Sequence, residues 1–123
     1  MEVLLDTNFI ISCLLKRIDF LDELEGMGFK VVVPKEVLQE LKDVKRNGKT
    51  SREEREIIDV AFSLLRERKV KKKGVGGRTV DDGLIKFGRE GFYIATLDRG
   101  IKTKVPNRVV ISNASGSLRI ERD

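Results

Sequence analysis

The stretch Val3–Ile11, VLLDTNFII, decides how this chain is read. Three apolar residues, Val3, Leu4 and Leu5, run straight into Asp6, Thr7 and Asn8, and Phe9, Ile10 and Ile11 follow at once. A continuous apolar run of this kind is expected of a short strand covered on both faces. A carboxylate, a hydroxyl and an amide between two such runs are costly to bury unless each has a partner. Asp6 thus stands where a strand gives way to a helix, at a position that needs a chemical reason.

Outward from this stretch, short apolar runs alternate with helical periods. Phe9 to Leu15 fits a helix, and Phe20, Leu21 and Leu24 begin a second that Gly26 and Gly28 stop. Lys30–Val33 reads as the second strand, and Pro34 both ends it and can open the next helix, where a missing N–H costs nothing. Val37, Leu38, Leu41 and Val44 form that helix's apolar stripe, and Asn47-Gly48 is a turn. Ser51 and Glu54 make a capping box for a helix that buries Ile57, Ile58, Ala61, Phe62 and Leu65. Val70–Val75 predicts a short strand, and Thr79 caps a helix through Arg89 with Asp81 and Asp82 in its first turn. Phe92–Thr96 is a strand, Asp98–Lys104 a brief helix, and Val109–Ile111 and Leu118–Ile120 are further strand segments. The alternation predicts an α/β fold: one domain over residues 1–123, a three-layer α/β/α sandwich whose mainly parallel central sheet has about five strands. Ligands of such folds bind at the carboxyl rim of the strands, where strand order reverses.

Composition narrows the chemistry. The chain has 123 residues, Lys+Arg 25 against Asp+Glu 20 for a net charge of +5, with 37% charged and 40% hydrophobic residues. That balance describes a globular chain. No apolar run exceeds four residues, and the amino terminus carries Glu2 and Asp6 without a basic segment, so neither a membrane span nor a secretory signal is expected. Cys13 is the single cysteine, set in an apolar stretch, which suits core filler in a cytoplasmic protein. There is no histidine at all. Serine-type triads, histidine bases and nearly all zinc sites are thereby excluded. Chemistry here runs on carboxylates, hydroxyls, amides, lysines and arginines, and any metal held by oxygen alone is expected to be Mg²⁺ or Mn²⁺.

The predicted topology brings at least four acids to one rim. Asp6 follows the first strand and Asp98 follows the Phe92–Thr96 strand. Glu40 lies on the flank of the Val37–Val44 stripe, and Asp81 and Asp82 open the helix before the Phe92 strand. Taken singly, each has a plainer role as a turn residue, helix cap or solvated flank. Gathered together, carboxylates raise one another's pKa unless something positive sits among them, and a hard divalent cation is the natural compensation. Such an ion can lower the pKa of water and steady the leaving oxygen of a phosphodiester.

These segments resemble the PIN-domain family of metal-dependent ribonucleases across nearly the whole chain. LLDTN is similar to its first acidic motif, on Asp6 with Thr7 and Asn8 beside it; VPKEVLQEL to its second, on Glu40. VDDGLIKFG resembles the third, an acid three residues before Ile or Leu. Asp82, three before Ile85, fits it best, while Asp81, three before Leu84, is the alternative. YIATLDRGIKTKV resembles the fourth, with Thr96 and Asp98 as its T-x-D. Gly83 departs from the family's small non-glycine residue, which weakens the helix start by about 1 kcal/mol. The resemblance implies an endoribonuclease in which Asp6, Asp82, Asp98 and Glu40 are the catalytic acids around one or two Mg²⁺ or Mn²⁺ ions. Thr7, Asn8, Asp81 and Thr96 would support them, and hydrolysis would leave a 3′-hydroxyl and a 5′-phosphate. The motifs lean toward the branch that processes ribosomal-RNA precursors. A toxin held by an antitoxin, or a non-catalytic RNA-binding factor in ribosome assembly, are the alternatives. RNA is the expected partner, with a homodimer, ribosome-assembly factors or an antitoxin left open.

Excess charge is local. Arg66–Arg78, RERKVKKKGVGGR, holds seven basic residues and one acid, a net +6. Lys71, Lys72, Lys73 and Arg78 of this segment, together with Arg99, are the expected RNA contacts. The competing explanation is that lysines on a short edge strand block edge-to-edge pairing. Phe87, Phe92 and Tyr93 fall at core-like positions and offer no platform for stacked bases.

Overall fold

The computed structural model describes residues 1–123. In chain order the elements are β1 (Glu2–Leu5), α1 (Thr7–Leu15), α2 (Phe20–Gly26), β2 (Lys30–Pro34), α3 (Lys35–Arg46) and α4 (Arg52–Glu67). There follow β3 (Lys71–Lys73), α5 (Val80–Arg89), β4 (Tyr93–Ala95), α6 (Arg99–Lys102), β5 (Asn107–Ser112) and β6 (Ser117–Arg122). One six-stranded sheet has the order β3-β2-β1-β4-β5-β6. Every pairing is parallel except the last, in which β5 and β6 run antiparallel.

Alternation along the strands divides the core into two layers. Val3, Leu5, Val31, Val33, Tyr93 and Ala95 face α1 through α4, within a cluster of 22 buried residues that also holds Phe9, Leu24, Leu41 and Ile58. Leu4, Val32 and Ile94 face the other way, onto Val75, Leu84, Ile101 and Val105 in a cluster of 7. The period of two in a strand demands this: neighbouring side chains leave on opposite faces, so a strand buried on both must be apolar throughout. The expected three-layer α/β/α fold is the observed one. Cys13 is fully buried, and that burial pushes its thiol up to about 12, far from a reactive thiolate.

The sheet has six strands where about five were expected, the Leu118–Ile120 segment supplying the last, and that sixth strand reverses direction. Ser112–Ser117 closes a hairpin whose register runs from Asn107↔Arg122 to Ser112↔Ser117. Leu118 is buried, and its N–H donates to Glu23 Oε1 of α2 at 3.0 Å. The carboxyl-terminal segment thus completes the sheet edge. The third strand is shorter than Val70–Val75, because Gly74–Thr79 leaves the sheet to reach the start of α5.

That departure is tightly fastened. Glu36, in the first turn of α3, accepts from the backbone N–H groups of Val75 (3.1 Å) and Gly76 (3.0 Å). Partial burial works against the charge, yet the Gly76 and Val75 donors hold this carboxyl below its ordinary range. The loop then packs on α5. A Cβ built on Gly83 would stand 2.5 Å from the Gly76 carbonyl oxygen and 2.7 Å from Val75 Cγ2. Glycine is therefore required at 83 for close approach, and the loss of helix propensity is the cost of seating this loop.

Two outcomes follow from this contact. Gly83→Ala, despite its better helix propensity, is expected to lower unfolding free energy by about 1–3 kcal/mol in denaturant titration, because overpacking outweighs propensity. Glu36→Ala removes bonds to a charged acceptor, so hydrogen exchange at the Val75 and Gly76 amides is expected to accelerate about tenfold or more while distant amides stay unchanged.

Candidate active site

Strand order reverses between β1 and β4, the two central strands, and the acids gather there. Asp6 is the first residue beyond β1, and its N–H still donates to Ala95 O of β4 at 3.0 Å. Its side chain caps α1: Oδ1 accepts from the Thr7 N–H at 2.8 Å. Oδ2 accepts from the Thr96 hydroxyl at 2.7 Å. Thr96, wholly buried just beyond β4, uses the same oxygen to accept from the Asp98 N–H at 3.0 Å. Asp98 in turn caps α6 by accepting from the Ile101 N–H at 3.0 Å. The threonine and the aspartate two residues on are thus one device, joining the ends of two strands that lie far apart in the chain.

Glu40 comes from α3, on the other side of Asp6, and its Oε1 accepts from the Thr7 hydroxyl. Pro34 starts that helix as expected, without a side-chain cap. Val37 and Leu41 are fully buried, which leaves Glu40 on the flank. Thr7 is therefore not a bystander: its N–H binds Asp6 and its hydroxyl binds Glu40.

Of the two candidates for the third acid, the structure places only one beside the other acids. Asp81, not Asp82, lines the cavity of about 390 Å³ shared with Asp6, Thr7, Asn8, Glu40 and Asp98. Successive helical residues differ by about 100°, so only one of an adjacent pair can turn inward. Leu84, three residues after Asp81, is fully buried, while Ile85, three after Asp82, is only half-buried. Asp82 lies instead on the outer side of α5, in a shallow hollow with Ile85, Lys86, Arg89 and Glu90. Asp43 is a cavity residue that the sequence reading passed over. Its spacing of three from Glu40, which puts both on one helix flank, was the available signal.

Unbalanced negative charge is the cavity's main electrostatic property, since no lysine or arginine lines it. Burial pushes the Asp6 carboxyl above its ordinary range against the bonds from Thr96 and Thr7, and the charges of Asp81 and Glu40 add to the rise. Asp81 is raised too, by partial burial and then by the charges of Asp98 and Asp82. Oxygen-only donors carrying uncompensated charge fit a hard divalent cation such as Mg²⁺ or Mn²⁺, and they do not fit zinc. As placed, no three of the acids form a ready-made chelate. The Asp6, Glu40 and Asp98 side chains are all engaged by protein donors, whereas Asp81 makes no side-chain hydrogen bond.

The expected RNA contacts lie elsewhere on the surface. Lys71–Lys73 is the edge strand β3, paired with β2 only, with Lys73 Nζ 5.1 Å from the centre of the Phe87 ring. Arg78 is exposed in the loop before α5, and Arg99 is exposed as the first residue of α6. None of them lines the acidic cavity. Phe87 and Phe92 meet edge to face at 5.3 Å between centres, and Tyr93 is buried, as core-like positions require.

Comparison with known proteins bears on the fold and family. Curated proteins return no match to the sequence. Among solved structures, the protein is similar to one titled "Structure of the PIN domain endonuclease Utp24". Sequence identity is 21%, the alignment covers 99% of this chain and 92% of that chain, and the TM-score is 0.75. The likeness at that identity is one of fold. A family model described as a PIN like domain matches residues 3–112, nearly the whole sheet with all four acidic segments. The chain belongs to the PIN-like domain family.

Proposed function

We propose that this protein is a divalent-metal-dependent endoribonuclease acting in RNA maturation, with Asp6, Glu40, Asp81 and Asp98 as its metal-holding acids. One observation carries the reading: these four line a single cavity at the reversal of strand order, with no basic side chain to balance them. When bound, Mg²⁺ or Mn²⁺ supplies Lewis acidity to the phosphodiester and acidifies water.

The chain's own residues supply placement. Thr96 holds Asp6 and the Asp98 backbone in fixed relation, and Thr7 holds Asp6 and Glu40 together. Asn8 is exposed at the cavity wall, where its amide can donate to a phosphate oxygen or accept from a ribose hydroxyl. Asp81, with no protein partner, is the acid most available to a cation. Products with a 3′-hydroxyl and a 5′-phosphate are expected.

The test is cleavage of labelled structured and unstructured RNAs, ribosomal-RNA precursors first, in Mn²⁺ or EDTA. Asp81→Asn is expected to lower the rate about 100-fold or more, since even outer-shell partners of a metal are worth about 10–100-fold. Asp82→Asn is expected to cleave about as fast as the parent, within roughly the small changes typical of distant surface sites. The reverse ranking would return the role to Asp82. RNA binding without turnover would favour the assembly-factor reading, and growth arrest on expression the toxin.

A second readout needs no substrate. Mn²⁺ at about 100 times its dissociation constant should add about 2.7 kcal/mol of stability by mass action. The corresponding rise in Tm is expected to vanish in Asp81→Asn and to persist in Asp82→Asn. A flat Tm in the parent would remove the metal from this account.

A further inference from the structure

We infer that the groove between α3 and α4 is the track for the single-stranded RNA flanking the cut, a proposal that rests on the nuclease reading above. Two confluent hollows, of about 410 Å³ and about 310 Å³, share Lys42 and Phe62. The first is completed by Lys45 and Arg46. The second adds Arg66 and Lys72 at its rim, over Leu38 and Leu65. Lys45 is paired with Asp59, but Lys42, Arg46, Arg66 and Lys72 have no carboxylate partner. The groove is therefore a row of cations above an apolar floor that contains one half-buried aromatic ring.

Charge and shape favour a single strand over other occupants. A backbone of phosphates answers the four unpaired cations, and the Phe62 ring offers a face on which a base can stack. An acidic peptide would answer the cations and leave the ring without a specific role.

Position relative to the acids supplies the remaining argument. The same helix, α3, presents Glu40, Asp43 and Val44 to the acidic cavity and Lys42, Lys45 and Arg46 to this groove. A helix is about 10–12 Å across, so a strand lying in the groove reaches the acids within a few nucleotides. The acidic cavity by itself repels a polyanion, and a basic channel beside it offsets that repulsion. Of the five RNA contacts expected from sequence, Lys72 lines this groove, whereas Lys71 and Lys73 leave β3 on its opposite face.

The experiment measures binding of a labelled twelve-nucleotide oligouridine in EDTA over a series of salt concentrations, separately from cleavage in Mn²⁺. Lys42→Gln/Arg46→Gln, both exposed and free of structural bonds, is expected to weaken binding about tenfold near 0.1 M salt. Loss of two phosphate contacts should flatten the slope of log K against log salt by about 1.4. Phe62→Leu, which preserves the apolar floor, is expected to weaken binding about fivefold or more with the slope unchanged. Lys71→Gln/Lys73→Gln should bind as the parent does.

Unchanged binding in the groove variants, or no binding by the parent, would overturn the proposal. So would an equal loss in the β3 variant. Displacement of the oligouridine by oligoglutamate at matched charge would identify an acidic protein partner instead and would also overturn it. Binding that depends on the groove in a protein that never cleaves would sink the nuclease reading and leave the groove standing.

Discussion

The buried hydroxyl of Thr96 stands between Asp6 and Asp98, donating to one side chain and accepting from the other's backbone. The site depends on that pair of bonds. β1 and β4 are neighbours in the sheet, yet their ends would diverge as one chain turned into α1 and the other into α6. A hydroxyl can donate and accept at once, so a single threonine closes the gap. Both oxygens of buried Asp6 are bonded, which offsets part of the cost of placing a carboxylate there. Burial and neighbouring acids still raise its pKa, which is the electrostatic debt that a cation would cancel.

Helix α3 organises everything around that centre. Its first turn carries Glu36, which fastens the Val75–Gly76 loop and through it the start of α5, where Asp81 sits. One turn later Glu40 joins the acids, while Lys42 and Arg46 face the basic groove on the other flank. One helix thus holds apart two fields of opposite sign. Its buried stripe, Val37 and Leu41, makes that possible by fixing the helix's rotation. A change in rotation by one residue would turn an acid into the groove and a lysine into the cavity.

Much of this was legible in the chain. Apolar runs without alternation marked the doubly covered strands, and Ser51, Thr79 and Asp98 marked helix starts that the structure shows with side-chain caps. These features are local: a strand's two faces and a helix's first turn draw their chemistry from residues within a few positions. The order of acidic segments pointed to Asp6, Glu40 and Asp98, each of which lines the cavity. The sixth strand's direction was less legible, because antiparallel pairing in a hairpin differs from a parallel return only in the shortness of its connection.

The sequence by itself determined the layers, the strand interiors and the helix caps, since periodicity and capping are written in neighbouring residues, and its acidic segments pointed to Asp6, Glu40 and Asp98, which line one cavity. Tertiary structure alone decided that Asp81 and Asp43 line the cavity while Asp82 faces outward, and that glycine is needed at 83. It also decided that Lys42, Arg46, Arg66 and Lys72 should share a groove. Each of these depends on how a helix is rotated or how closely a distant backbone approaches. Such quantities are set by packing between segments remote along the chain, and no local pattern records them.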